Sequence, residues 1–339
     1  MQPRIRYGLT IQLNTKGLLL VEQPEGESVN EVQANNCSVQ AFTNHNQQHK
    51  TTVFEPDVFT EYQERNAKKG LLIHVPANQE ATVNLRRTIK GQCVHHILVI
   101  VEENAKLHVM DEYVGSPDLH VAAVEIIAYE NAQIKYATTQ KLKKGFDIVN
   151  YRARTHKNAS IDWFIAQYGA TLSRAIVDTE LVGEGSSTRS YGVYLGREQQ
   201  QFERTDASIH VGNHTASDMH ARGVLQEKSK AVFRGTIDIA KEAFTCDGYQ
   251  KNHTLLLSEN AVADAIPNLQ IRNNDVKCSH GATIGRVDEE HLFYLTSRGI
   301  DKQTATRILV EGFFAELANA LEWPQLTEHI IRTSEEYIV

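Results

Sequence analysis

From Gly70 onward apolar and polar residues alternate in short runs, the spacing of half-buried strands. Three segments share one pattern: Asn104-Ala-Lys-Leu-His-Val, Asn131-Ala-Gln-Ile-Lys-Tyr and Asn158-Ala-Ser-Ile-Asp-Trp, spaced 27 residues apart. One further step reaches a degenerate copy at Gly185, and weaker copies begin near Gly212, Lys230 and Asn260. Asn and Gly tolerate the left-handed backbone of a tight corner, and the alternating residues that follow form a strand. A fixed strand-and-turn repeat in which each copy buries its apolar face on the next is the pattern of a solenoid. The expected fold is mainly β: a right-handed parallel β-helix over residues 70–286. An antiparallel sandwich would have similar strand density, but its two-residue hairpin signal is represented only by Asp247-Gly248.

The rhythm changes at residue 287, where a small C-terminal helical region (287–339) begins. Val287 to Ser297 reads as a helix with acids at its start, stopped at Arg298-Gly299. Asp301 is placed to cap a second helix with an apolar stripe of Ala305, Ile308, Leu309, Phe313, Leu317 and Leu321, ended by Pro324. That stripe packs on the end of the solenoid or docks a partner. An exposed Phe314 beside Phe313 would favour docking, and Phe293 is a further docking candidate. Residues 1–69 read as a pair of strands joined at 14–17, a polar Asn- and Gln-rich loop over 26–52, and a short helix within Phe54 to Lys69.

Composition narrows the classes. A net charge of −7 leaves no electrostatic footprint for nucleic acid. No run of 18 apolar residues exists to span a membrane, and the N-terminus does not read as a secretory signal. Cys37, Cys93, Cys246 and Cys278 lie far apart, without C-x-x-C, which argues against a disulfide framework or a complete metal site in one chain. The expected location is the cytoplasm.

Candidate chemistry concentrates at Cys278-Ser279-His280. On an extended backbone positions 278 and 280 share a face, and a thiolate with an imidazole could ligate iron or zinc. A second cluster, Cys93 with His95-His96, splits its histidines between opposite faces of a strand, leaving only Cys93 and His95 together. Cys246 reads as core.

At this point the chain resembles the SufB/SufD family, scaffold proteins of the SUF iron–sulfur cluster assembly system. The resemblance covers roughly residues 70 to 320. It rests on Gly70-Leu-Leu-Ile-His-Val-Pro76, Asn252-His-Thr-Leu-Leu-Leu-Ser258, Ala265-Ile-Pro-Asn-Leu-Gln-Ile271, Lys277-Cys-Ser-His-Gly-Ala-Thr283 and Asp288-Glu-Glu-His-Leu-Phe-Tyr-Leu-x-x-Arg-Gly-Ile300. The SufB branch is implied to carry a sulfur-receiving Cys where this chain has Ile271 and a Glu where it has Gly281, so the motif is similar to the SufD branch. The resemblance implies a non-catalytic scaffold subunit that pairs with a SufB-like subunit and docks a SufC-type ABC ATPase through its C-terminal helices. It also implies that His280 and Cys278 lie at the shared interface, where a transient iron–sulfur cluster forms. The chain carries no Walker A sequence, so the nucleotide belongs to the partner. The family's usual N-terminal helical domain has no counterpart in residues 1–69. A homodimer through the last solenoid strands would equally cover an open β edge near Ile271. Two other readings are a divergent structural homologue without cluster chemistry and a carbohydrate-active β-helix enzyme. The missing secretory signal and the C-terminal helical pair count against the enzyme.

Overall fold

The computed structural model describes residues 27–43, 58–67, 69–320, 323, 326–328 and 332–333. The strand pair expected within residues 1–23, together with Leu321 and Pro324, lies outside them. The chain opens with β1 (Glu27–Asn35), β2 (Ser38–Thr43), α1 (Val58–Asn66), β3 (Lys69–Val75), β4 (Glu80–Val101) and β5 (Lys106–Ala128). Shorter strands follow: β6 (Gln133–Leu142), β7 (Phe146–Thr155), β8 (Ser160–Gln167), β9 (Leu172–Leu181), β10 (Ser187–Gly196) and β11 (Gln201–His210). The last are β12 (Ala216–Leu225), β13 (Lys230–Ile239), β14 (Cys246–Leu256), β15 (Val262–Ile271) and β16 (Val276–Arg286), before α2 (Glu289–Ser297) and α3 (Lys302–Ala320).

The fold is a parallel β-solenoid. β5 is long enough to belong to both of its faces: its first half pairs in parallel with β6 and its second half with β7. From there the even strands stack as β6-β8-β10-β12-β14-β16 and the odd strands as β7-β9-β11-β13-β15. The repeat seen in sequence is the corner that precedes β5 and then the even strands β6 and β8. Asn104, Asn131 and Asn158 all have positive φ (58°, 59° and 55°). Their side chains form a ladder along the solenoid: Asn104 Nδ2 donates to Asn78 Oδ1 at 3.3 Å, Asn131 Nδ2 to Asn104 Oδ1 at 2.9 Å, and Asn158 Nδ2 to Asn131 Oδ1 at 3.2 Å. Gly185 continues the corner at φ 70°, and a Cβ there would stand 2.6 Å from Asn158 Oδ1. His214 and Thr245 take the same place further on. The copies at Lys230 and Asn260 sit instead at the starts of the odd strands β13 and β15, a second corner distinct from that of the asparagines.

Much of the interior of the first turns is apolar. Leu107, Ile134 and Ile161 stack on one face, and Val124, Tyr151 and Val177 on the other. Buried polar sets continue further along. Arg204 holds Asp206 and Ser190, and Tyr194 bonds Thr254 at 2.5 Å. Gly223 is required there, since a Cβ would fall 1.7 Å from the Tyr194 ring.

Three expectations need correction. The polar segment 26–52 is not all loop: β1 pairs antiparallel with β4 and β2 antiparallel with β3, which adds strands to the first turn. Residues 31–35 of β1 are exposed, so no buried alternation marked the strand. α2 begins at Glu289, with Asp288 as its cap through Oδ1 to the amide of Glu290 at 2.8 Å. Among the described side chains of α3, Ala305, Val310, Phe314 and Leu317 are buried, whereas Ile308 is exposed. This helix lies on the outer face of the even strands, against Phe164, Tyr191, Val193 and Val224, rather than over the solenoid's end.

The ladder should be measurable. Asn131→Ala removes two side-chain hydrogen bonds and places at positive φ a residue that tolerates it less well than asparagine, so a loss of about 2 kcal/mol is expected in urea unfolding. Asn131→Gly relieves the φ penalty and should lose less. A glycine variant as unstable as the alanine variant would remove the corner geometry from the explanation.

Candidate functional site in the last solenoid turn

Parity assigns the side chains of the last turn. On β14 the inward residues are Cys246, Gly248, Gln250, Asn252 and Thr254, all buried. Register puts Gly248 beside Cys278 and Gln250 beside His280, so Cys278 and His280 occupy inward positions of β16. No further turn covers them among the described residues, because β16 pairs only with β14 and β15 only with β13. Inward positions that would be core elsewhere are therefore open here. Ile271 and Ile284 are each 40% exposed, and His280 is exposed. The shared face expected for residues 278 and 280 is present, and Ile271 belongs to the same turn.

Cys278 is half-buried and packs with Met219, Ile237, Cys246 and Leu269. Gly248 makes room for it: a Cβ at that position would approach Cys278 Sγ to 3.3 Å. Partial burial, then Asp247, push the Cys278 thiol up, with the Gly248 amide opposing them. The thiol is thus protonated at neutral pH, and a metal ligand here must lose that proton on binding. Behind it, Cys246 is buried as expected. Its Sγ lies 3.2 Å from Thr215 Oγ1, which lies 2.8 Å from His210 Nδ1, and Ser217 Oγ is 2.8 Å from His210 Nε2. Burial brings the His210 imidazole down to about 4, so it is neutral. Thr245, directly before Cys246, is a β-branched residue at φ 56°, held by its own amide to Asp275 O at 2.8 Å and its hydroxyl to Asp275 Oδ2 at 3.0 Å.

The second cluster is a different kind of place. Cys93 and His95 share the inward face, 3.8 Å apart, and His96 points outward to Glu125 at 2.8 Å. Arg87 takes His95 Nε2 and pairs with Asp111, which also accepts from Tyr136 at 2.8 Å. Burial, then Arg87, hold the His95 imidazole well below its usual range, and burial pushes Cys93 up to about 11. A guanidinium already occupies the position a metal cation would need. Among the described residues, no three His, Cys, Asp or Glu side chains converge on a metal position.

Sequence reasoning missed this buried polar interior, which extends through His120, Asp147 and Ser173 at 2.7 and 3.0 Å. The signal was available: Arg87, Asp111 and His120 fall on the same parity as Val83, Val109 and Ala122.

The docking residues separate. Phe293 on α2 is 73% exposed beside Tyr294, and no residue of α2 is buried. Phe314 is only 1% exposed, which overturns the condition on which it was a docking candidate. Phe313 packs under Arg222 at 4.9 Å and edge-on to His253 at 4.8 Å. Both serve the seating of α3 on the solenoid. No helix of the described residues is long and apolar enough to cross a membrane.

Residues 81–313 match the family described as SUF system FeS cluster assembly, SufBD core domain. The chain is 28% identical over 286 residues to the iron-sulfur cluster assembly protein SufD of Bacillus subtilis, covering 79% of this chain and 64% of that protein. It is 29% identical over 212 residues to the SufBD family protein ycf24 of Porphyra purpurea, covering 60% and 44%. A SufBD family protein of Staphylococcus epidermidis is 26% identical over 263 residues, covering 74% and 56%. The chain thus spans between 44% and 64% of the length of these curated relatives.

Acid should expose the neutral His210. The unfolded chain binds its proton near pH 6.5 and the folded chain only near 4, so stability falls as pH drops through that window. Between pH 7 and 4.5 this one group accounts for a loss of about 2–3 kcal/mol. Urea midpoints should fall less steeply with acid in His210→Gln than in wild type. Equal slopes would mean that His210 takes up no proton on unfolding.

Proposed function

The chain belongs to the SufB/SufD family of the SUF iron–sulfur cluster assembly system, and we propose that it is a non-catalytic scaffold subunit whose open last turn pairs with a SufB-like subunit. The observation that carries this reading is the uncovered inward rows of β15 and β16. Side chains that every earlier turn buries are left at the surface there, with Ile271 and Ile284 40% exposed. An apolar rim around a thiol and an imidazole suits a partner that completes the core.

In this reading the cluster is cargo, made at the interface and passed on. Cys278 and His280 supply one thiolate and one imidazole, and the partner supplies the other ligands. Iron accepts both donor types, and an incomplete ligand set on one chain fits a site that opens when the partners separate. The raised Cys278 thiol makes ligation release a proton, so cluster formation should be favoured by higher pH. α2 supplies a second docking surface, with Phe293 and Tyr294 offered to a SufC-type ABC ATPase. The expected setting is the cytoplasm.

The test is co-purification with the SufB-like and SufC-like neighbours, followed by anaerobic cluster reconstitution of wild type and His280→Ala. The complex should persist in the variant while cluster yield falls at least about tenfold, the loss of one ligand being worth more than 1.4 kcal/mol. An intact complex with unchanged yield would make His280 a bystander. A chain that forms only homodimers through β15 and β16 would assign the open turn to a second copy instead.

A further inference from the structure

A trough of 720 Å³ runs along the outer face of the even strands, on the opposite side of the sheet from the inward row of Cys278 and His280, and is lined by charged residues of both signs up to Asp247 on β14. We propose that it binds an extended segment of a partner polypeptide that is acidic towards one end and basic towards the other.

Register sets the dimensions. Lys106, Gln133, Ser160, Ser187, Ala216 and Asp247 occupy one row across β5, β6, β8, β10, β12 and β14. Five steps at the interstrand spacing of about 4.8 Å give a trough of about 24 Å, the length of about seven extended residues. The middle of the row is small, Ser160, Ser187 and Ala216, which leaves depth for a chain and hydroxyls to bond it. The neighbouring row on the same face is His108, Lys135, Asp162, Arg189, Asp218 and Tyr249.

Charge is ordered along these rows. At the β5–β6 end stand Lys106, in register with Glu80, and Lys135, in register with Asp162; among the described residues neither makes an ion pair within 4.0 Å, and Asp162 is taken up by Arg189. Burial, then Lys135, hold the His108 imidazole down at the same end. In the middle Arg189 and Asp162 cancel each other through two bonds of 2.8 and 2.6 Å. At the β12–β14 end stand Asp218, 2.8 Å from His220, and Asp247, which has no cationic partner among the described residues. Glu80 and Lys277 continue the row one turn beyond either end, outside the trough.

This order selects the ligand. A nucleic acid or an acidic polysaccharide would meet Asp218 and Asp247 with like charge, which disfavours it. A polymer that presents both signs a fixed distance apart is a polypeptide. Lying along the solenoid, it crosses the strands, so it engages side chains and adds no strand to the sheet.

The trough can be tested with fluorescein-labelled, capped heptapeptides of the form Glu-Glu-x-x-x-Lys-Lys, with neutral residues varied at x, and with charge-shuffled isomers of the same composition. Anisotropy titrations of the full chain at low salt should show the bipolar peptides binding at least about fivefold tighter than their isomers. Reversing one end, with Lys106→Glu plus Lys135→Glu or with Asp218→Lys plus Asp247→Lys, should remove that preference. Reversing both ends together should restore it, because the peptide can then run the other way. Far-UV circular dichroism and thermal midpoints confirm folding of these surface variants. Equal binding of isomers and bipolar peptides, no effect of single-end reversal, or tighter binding of a single-stranded oligonucleotide would each overturn the proposal.

Discussion

Every turn of this solenoid depends on the next one. A parallel strand buries its inward side chains and satisfies half of its amides only when another strand lies in register beside it. That constraint explains the stacked aliphatic rows, the Asn78–Asn104–Asn131–Asn158 ladder and the left-handed corners that keep successive strands in phase. It also identifies where the constraint is not met among the described residues. There β15 and β16 each pair with one strand, and their inward residues, Ile271, Ile284 and His280 among them, are left open.

Polar residues in the interior follow from the same register. Arg87, Asp111 and Tyr136 sit in neighbouring inward rows and satisfy each other, as do His120, Asp147 and Ser173. A buried charge is costly alone and tolerable when paired, so such groups come as sets spread over successive turns. The imidazoles of His95 and His210 stay neutral in this setting, which ties the folded state to the upper side of pH 6.5. Cys246 belongs to one of these sets through Thr215, which gives the thiol a fixed place directly behind the open turn.

The repeat of Asn131 and Asn158 was legible because a positive-φ corner restricts residue choice, and strand alternation was legible because one face is buried. The later corners were harder to read. His214 and Thr245 take the same φ as the asparagines without repeating their residue type, Thr245 being β-branched, and the interval between corners lengthens after Gly185. β1 was missed because an exposed edge strand needs backbone partners and no apolar face. In the site, the common face of Cys278 and His280 followed from parity alone, whereas the openness of the turn did not: it depends on which strand is last. Phe314 was misjudged because helix periodicity shows that a stripe exists and does not show which side the solenoid covers.

Amide hydrogen exchange tests directly whether the last turn is an interface. In the chain alone, amides of β16 that point away from β14 should exchange quickly, while those bonded to β14 are protected. Adding a SufB-like subunit should slow exchange across Val276–Arg286 and Val262–Ile271 and leave β6 to β10 unchanged. Protection confined to those last strands is the predicted result. Unaltered exchange there, in a mixture that nonetheless forms a complex, would contradict the account.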